Sequence, residues 1–171
     1  IKSWDAGLTR VPSVLSTGAG KTVIFTHPSF LDRFLDVHKR VLIIAHTEEL
    51  CDQAAKKARL ANPGRTVGIV KAALNEVSAQ IVIASVQTLR NAKRLTQVRN
   101  VGLIVIDECH HSTAKSYRTV MEHFGVFNPD SSVKVAGFTA TLARGDKSKL
   151  SSVWENPSFG IFRRDILYFI R

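Results

Sequence analysis

The sequence predicts an α/β fold, a parallel sheet with helices on both faces. Two observations lead there. Short Val- and Ile-rich runs recur along the chain: "VPSVLS" (11–16), "VLIIAH" (41–46), "TVGIVKA" (66–72), "QIVIAS" (80–85), "LIVIDE" (103–108) and "VKVAGFTAT" (133–141). Most are apolar at both alternating positions, as strands covered on both sides are. Amphipathic stretches lie between them, and strand-helix alternation implies parallel strands joined by crossover helices.

Each helical stretch has its own justification. One begins near Gly20, and Pro28 should break or kink it near His27, because proline lacks the N–H and clashes with the preceding turn. "EELCDQAAKKARLA" (48–61), "VQTLRNAKRLTQV" (86–98) and "KSYRTVMEHF" (115–124) supply the others. "NPG" at 62–64 and "NPDSS" at 128–132 read as turns. No internal repeat, low-complexity tract or interdomain linker interrupts the pattern.

Composition bounds the function. At 171 residues with 44% hydrophobic content, the chain suits one globular domain with a real core. Its two cysteines, Cys51 and Cys109, make no disulfide framework and fit a reducing compartment rather than secretion. The longest apolar runs are strand-length, too short to span a bilayer. Because Ile1 is not a start residue, the sequence reads as a fragment or a processed form. Lys and Arg number 24 against 14 Asp and Glu, a net charge of +10. That excess favours a polyanionic partner through counterion release and long-range attraction. Scattered solvated lysines are the competing explanation, and no run of like charges marks a disordered basic arm.

In such a sheet, ligands bind beyond the carboxyl ends of the strands, and polar residues collect there. The first strand runs into "TGAGKT", where Gly18 and Gly20 let backbone N–H groups curl round an anion. Thr17, Gly18, Ala19 and Gly20 would cradle phosphates, Lys21 would reach the β- and γ-phosphates, and the Thr22 hydroxyl would hold Mg²⁺. The strict pattern asks for a glycine where Leu15 stands, so a plain glycine-rich turn competes. "LIVIDECHH" supplies a partner. Asp107 would hold the Mg²⁺ shell through water, and Glu108 could deprotonate the attacking water. Cys109, His110 and His111 invite a zinc reading, but adjacent ligands make a poor tetrahedral set, so zinc is not expected. His110 fits a contact to the nucleotide site better, and His111 a solvated or hydrogen-bonded helix start.

"LSTGAGKT", "DECH" and "TAT", in that order, resemble motifs I, II and III of superfamily 2 helicases and translocases. "VLIIAHTEEL" resembles their motif Ia and "IASVQTL" their motif Ib, so the likeness runs from about Val11 to Arg144. It accounts for Leu15, since these loops commonly carry an apolar residue there, while Ser16 departs from the usual proline. "DECHH" with "GFTATLAR" is similar to the branch shared by type III restriction motors and repair helicases. "VKAALNEVSAQIVIASVQTL" looks nearest to fungal mitochondrial members.

The resemblance implies a RecA-like P-loop NTPase lobe over 1–160, truncated at its N-terminus, with 161–171 leading to a second lobe. It implies ATP and Mg²⁺ as cofactors and DNA, or alternatively RNA, as partner, with no membrane. Thr139, Ala140 and Thr141 would couple nucleotide state to strand binding, a plain turn being the alternative. Thr47, Glu48, Ser85, Val86, Gln87 and Thr88 would line the nucleic-acid path, although Thr47 and Ser85 also suit helix capping. The second lobe would bring the arginine that stabilises charge on the transferring phosphoryl, and the upstream glutamine motif that reads adenine is not seen. An isolated lobe is therefore expected to be poorly active. An ATP-driven restriction or remodelling motor and a nucleotide-gated binding module remain alternatives. Mitochondrial residence is implied by likeness and high pI, with the nucleus or cytoplasm as the other locations.

Overall fold

The computed structural model describes residues 2–5, 7–35, 39–140 and 150–155. In chain order they form α1 (Lys2–Asp5), β1 (Arg10–Val14), α2 (Lys21–Thr26), α3 (Pro28–Leu31), β2 (Arg40–Ala45) and α4 (Glu48–Ala61). β3 (Val67–Lys71), β4 (Leu74–Asn75), β5 (Ile81–Ser85), α5 (Val86–Leu89) and α6 (Ala92–Leu95) follow. The described chain then runs through β6 (Val101–Asp107), a 3₁₀ turn (Cys109–His111), α7 (Lys115–His123) and β7 (Lys134–Thr139).

The strands make a seven-stranded sheet in the order β1-β7-β6-β2-β5-β3-β4. All pairs are parallel except β3 with β4, which is antiparallel. That two-residue strand was not expected from the sequence, being short, exposed and without apolar alternation. Gly68 explains why it lies so close: a Cβ there would run into the Glu76 carbonyl.

Alternation along the buried strands divides the core between two faces. Leu42, Ile44, Ile104 and Ile106 face Tyr117, Met121 and Trp154 on one side. Val41, Ile43, Leu103 and Val105 face Phe25, Cys51 and the Ala54, Ala55 and Ala58 stripe of α4 on the other. Helices thus cover both faces, as the apolar runs required.

Two helical stretches deserve their physical reasons. His27 is extended (φ −72°, ψ 139°) and its ring accepts from Ser29 N–H, so the proline-driven break separates α2 from α3. The single helix expected over 86–98 is instead two single turns, α5 and α6. Asn91 is the cause: its side-chain oxygen accepts from Lys93 N–H at 3.0 Å, capping a new turn instead of continuing the old one.

Parallel pairing sends the ends of β1, β7, β6, β2 and β5 to one edge of the sheet. Register sets Val14 beside Thr139 and Asp107 beside Phe138, so β7 lies between the glycine loop and the acidic strand end. β2 and β5 continue beyond β6, which puts the Thr47 segment beside the strand of the acidic pair and the Ser85 segment one strand further out.

Candidate nucleotide site

The loop after β1 is shaped by its glycines. Gly18 (φ +80°) and Gly20 (φ +75°) both hold left-handed backbone, which side chains with a Cβ resist. Ala19 N–H closes a turn on Ser16 C=O at 3.1 Å, and Leu15 N–H bonds Thr139 C=O at 2.9 Å. Leu15 therefore ties the loop to β7 and obstructs nothing. Lys21 opens α2 directly after Gly20, with Thr22 beside it; the Thr22 carbonyl accepts from the Thr26 hydroxyl.

β6 delivers the two acids to this loop. Lys21 Nζ stands 3.5 Å from Glu108 Oε1, and the Lys21 side chain is 12% exposed. Asp107 is buried, and its Oδ1 accepts from Glu108 N–H at 3.1 Å. Burial pushes the Asp107 carboxyl above its usual range, with the Glu108 charge adding to it. The Glu108 N–H, Lys21 and Lys57 pull the other way. A desolvated carboxylate beside a second one favours a neighbouring cation.

Glu108 itself adopts left-handed backbone (φ 51°, ψ 53°), which turns the chain from β6 into the 3₁₀ turn. A non-glycine residue there is strained, and such strain concentrates at functional sites. The turn directs His110 back over the strand ends. Thr139 donates its hydroxyl to Glu108 Oε2 at 3.3 Å, and the same hydroxyl lies 2.8 Å from His110 Nδ1. His110 Nδ1 also lies 3.3 Å from Glu108 Oε2.

Thr139 thus contacts the loop through its carbonyl and motif II through its hydroxyl. Ala140 follows it, half-buried; Thr141 lies outside the described residues. On the path side, the Thr47 hydroxyl accepts from Leu50 N–H and caps α4, while Glu48 is exposed. Ser85 is wholly buried, and its hydroxyl accepts from Gln87 N–H to cap α5. Val86 is equally buried, leaving Gln87 exposed and Thr88 half-buried.

His46, which no motif in the sequence singles out, joins the site. Its ring stacks on His111 (centroids 4.3 Å, planes 14° apart), and His111 lies 4.0 Å from the His110 ring. Tyr117 Oη sits 3.4 Å from His46 Nδ1. Burial lowers the His111 pKa, and the neighbouring imidazoles lower it further. His111 is therefore a stacked, half-buried ring rather than a solvated helix start. No periodicity announces it; only the β2–β6 pairing brings the two histidines together. The Cys109 thiol is buried, packs where a Gly137 Cβ would sit, and is held protonated by that burial.

The donors present suit a hard cation: a carboxylate from Asp107 and a hydroxyl from Thr22, both oxygen. Among the described residues no cluster of three His, Cys, Asp or Glu groups forms a metal cage.

Known proteins resemble this chain in sequence and in fold. It is 34% identical over 179 residues to the candidate ATP-dependent helicase IRC3 of Saccharomyces cerevisiae, covering 99% of this chain and 25% of that protein. It is also 34% identical, over 156 residues, to the candidate mitochondrial ATP-dependent helicase irc3 of Schizosaccharomyces pombe, covering 88% of this chain and 25% of that one. The chain therefore spans about a quarter of the length of these relatives. The helicase domain of Pyrococcus furiosus Hef superposes with a TM-score of 0.69 at 24% identity, over 85% of this chain and 33% of that one. That likeness shows the RecA-like fold. The family described as type III restriction enzyme, res subunit, matches residues 1–144, the stretch that holds the whole pocket from Thr17 to Thr139, and the chain belongs to it.

Proposed function

We propose that this chain is the ATP-binding lobe of a motor that couples ATP hydrolysis to movement on, or unwinding of, a nucleic acid. The observation that carries the reading is the meeting of Lys21 with Glu108 at 3.5 Å, at the edge where Asp107 also ends its strand. The loop's N–H groups and Lys21 would take the triphosphate, with Thr22 and Asp107 holding Mg²⁺. When bound, the ion neutralises charge building on the phosphoryl oxygens.

The residues suggest an order of events. Lys21 rests on Glu108. A γ-phosphate would draw the ammonium away and leave that carboxylate oxygen for water. Glu108 would then take the proton as water oxygen bonds to γ-phosphorus and the bridging P–O bond breaks, releasing ADP and phosphate. Thr139 and His110 hold Glu108 in position meanwhile. A second RecA-like lobe of the parent chain would close the pocket and supply an arginine, worth about 10³- to 10⁵-fold in related NTPases.

DNA is the favoured track, since the family takes its description from a restriction enzyme; RNA is the alternative. Mitochondrial residence is supported by the name of the fission-yeast relative and the chain's +10 charge. Among the described residues no helix is long and apolar enough to cross a membrane. The test is ATP hydrolysis by the complete parent protein with single- and double-stranded DNA and RNA. The reading expects stimulation by at least one, strongest with DNA; rates unmoved by all four would defeat it.

A further inference from the structure

Beside the proposed path lies a second site, a notch of about 420 Å³ lined by Arg90, Lys115, Ser116 and Thr119. Arg90 ends α5 and the other three share the first turns of α7, so two elements build it. Both cations are exposed, and among the described residues neither has a carboxylate partner. Arg90 does touch Gln87 Oε1 at 3.4 Å, which links it to the exposed end of motif Ib.

We infer that this notch binds backbone phosphate of the nucleic acid, extending the track from α5 onto α7. The inference rests on the nucleic-acid reading above. The two cations and two hydroxyls are donors suited to phosphodiester oxygens. The described side chains lining the notch suit phosphate oxygens better than a base face or an apolar anchor. The contact is sequence-blind, and its strength falls steeply with salt.

The test is binding of labelled single-stranded DNA, its duplex and the matching RNA across a salt series. The pair Arg90→Gln and Lys115→Gln should weaken binding about tenfold at low salt, and should flatten the slope of log K against log [salt] by about 1.4 for single strands and about 1.8 for duplex. Lys39→Gln with Arg99→Gln removes the same charge from the amino-end edge of the sheet and should leave the slope unchanged. Arg90→Lys with Lys115→Arg should restore wild-type behaviour, and each single neutral change should give about half the effect. Equal losses from both neutral pairs would make the effect one of net charge and overturn the site. So would polyglutamate binding that depends on Arg90 and Lys115 while nucleic-acid binding does not. Wild-type binding with an unmoved slope in the double variant sinks this inference alone. No wild-type binding to any nucleic acid sinks it together with the proposed function.

Discussion

Thr139 gives its carbonyl to Leu15 N–H and its hydroxyl to Glu108, with His110 against the same oxygen. Thr139→Val keeps the shape and removes that hydroxyl. Hydrogen bonds to charged groups contribute about 1.5–3 kcal/mol, so hydrolysis by the parent protein should fall about tenfold or more while ATP affinity changes little. Equal falls in affinity and rate would assign Thr139 a merely structural role. Glu108 offers a sharper separation. Its left-handed backbone costs roughly 1–2 kcal/mol, which glycine would relieve against an entropic cost of about 0.5–1 kcal/mol. Both Glu108→Gly and Glu108→Ala lose the Lys21 and Thr139 contacts, and only alanine keeps the strain. Glu108→Gly should therefore melt no lower than Glu108→Ala in a thermal scan while both lose hydrolysis; a lower melting temperature for the glycine variant would contradict the strain. Residue roles divided cleanly in their legibility. The meeting of Lys21 with Glu108 could be anticipated in sequence because the glycine loop and the acidic strand end each carry a local pattern. The hydroxyl bridge from Thr139 could not, because it depends on β7 lying between β1 and β6.

At the scale of elements, β7 is wedged against the segment 150–155. A Cβ on Gly137 would sit 2.6 Å from Trp154 and 2.8 Å from Cys109. Gly137→Ala should cost about 1–3 kcal/mol, as overpacking does, and lower the melting temperature by several degrees. Altered Trp154 fluorescence would accompany it; unchanged stability would show that the strand and segment can part freely. The same segment is pinned by Glu155, which pairs with Arg10 at 2.9 Å and accepts from Thr9 N–H and Oγ1. Burial alone would raise the Glu155 carboxyl, but the Thr9 and Arg10 bonds outweigh it and hold it below its ordinary 4.5. Its contribution is then full above pH 4.5 and fades as pH falls through the lowered value. Chemical denaturation across pH should show Glu155→Gln less stable than wild type near neutrality, with the gap closing in acid. A gap independent of pH would refute the assignment. α4 was readable to its ends because Thr47 caps it and its alanines face the sheet. The 86–98 stretch was not, since apolar periodicity does not reveal that Asn91 prefers a cap to a helix interior. β4 and the packing of 150–155 depend on close approaches at Gly68 and Gly137, which a one-dimensional pattern does not carry.

For the whole molecule, strand order arranges function along one edge. β1, β7 and β6 carry the proposed triphosphate side, and β2 and β5 the proposed track. The rings of His46, His111 and His110 bridge the two halves at that edge. A charge of +10 over 171 residues gives long-range attraction to a polyanion without itself choosing the sequence bound. The pocket claim is tested most directly by calorimetric titration of this chain with ATP, with and without Mg²⁺, in wild type, Lys21→Ala and Glu108→Gln. The account predicts Mg²⁺-strengthened binding in wild type, retained in Glu108→Gln and weakened about tenfold or more in Lys21→Ala, the loss of a charge-assisted contact. Equal ATP affinity in wild type and Lys21→Ala would contradict it.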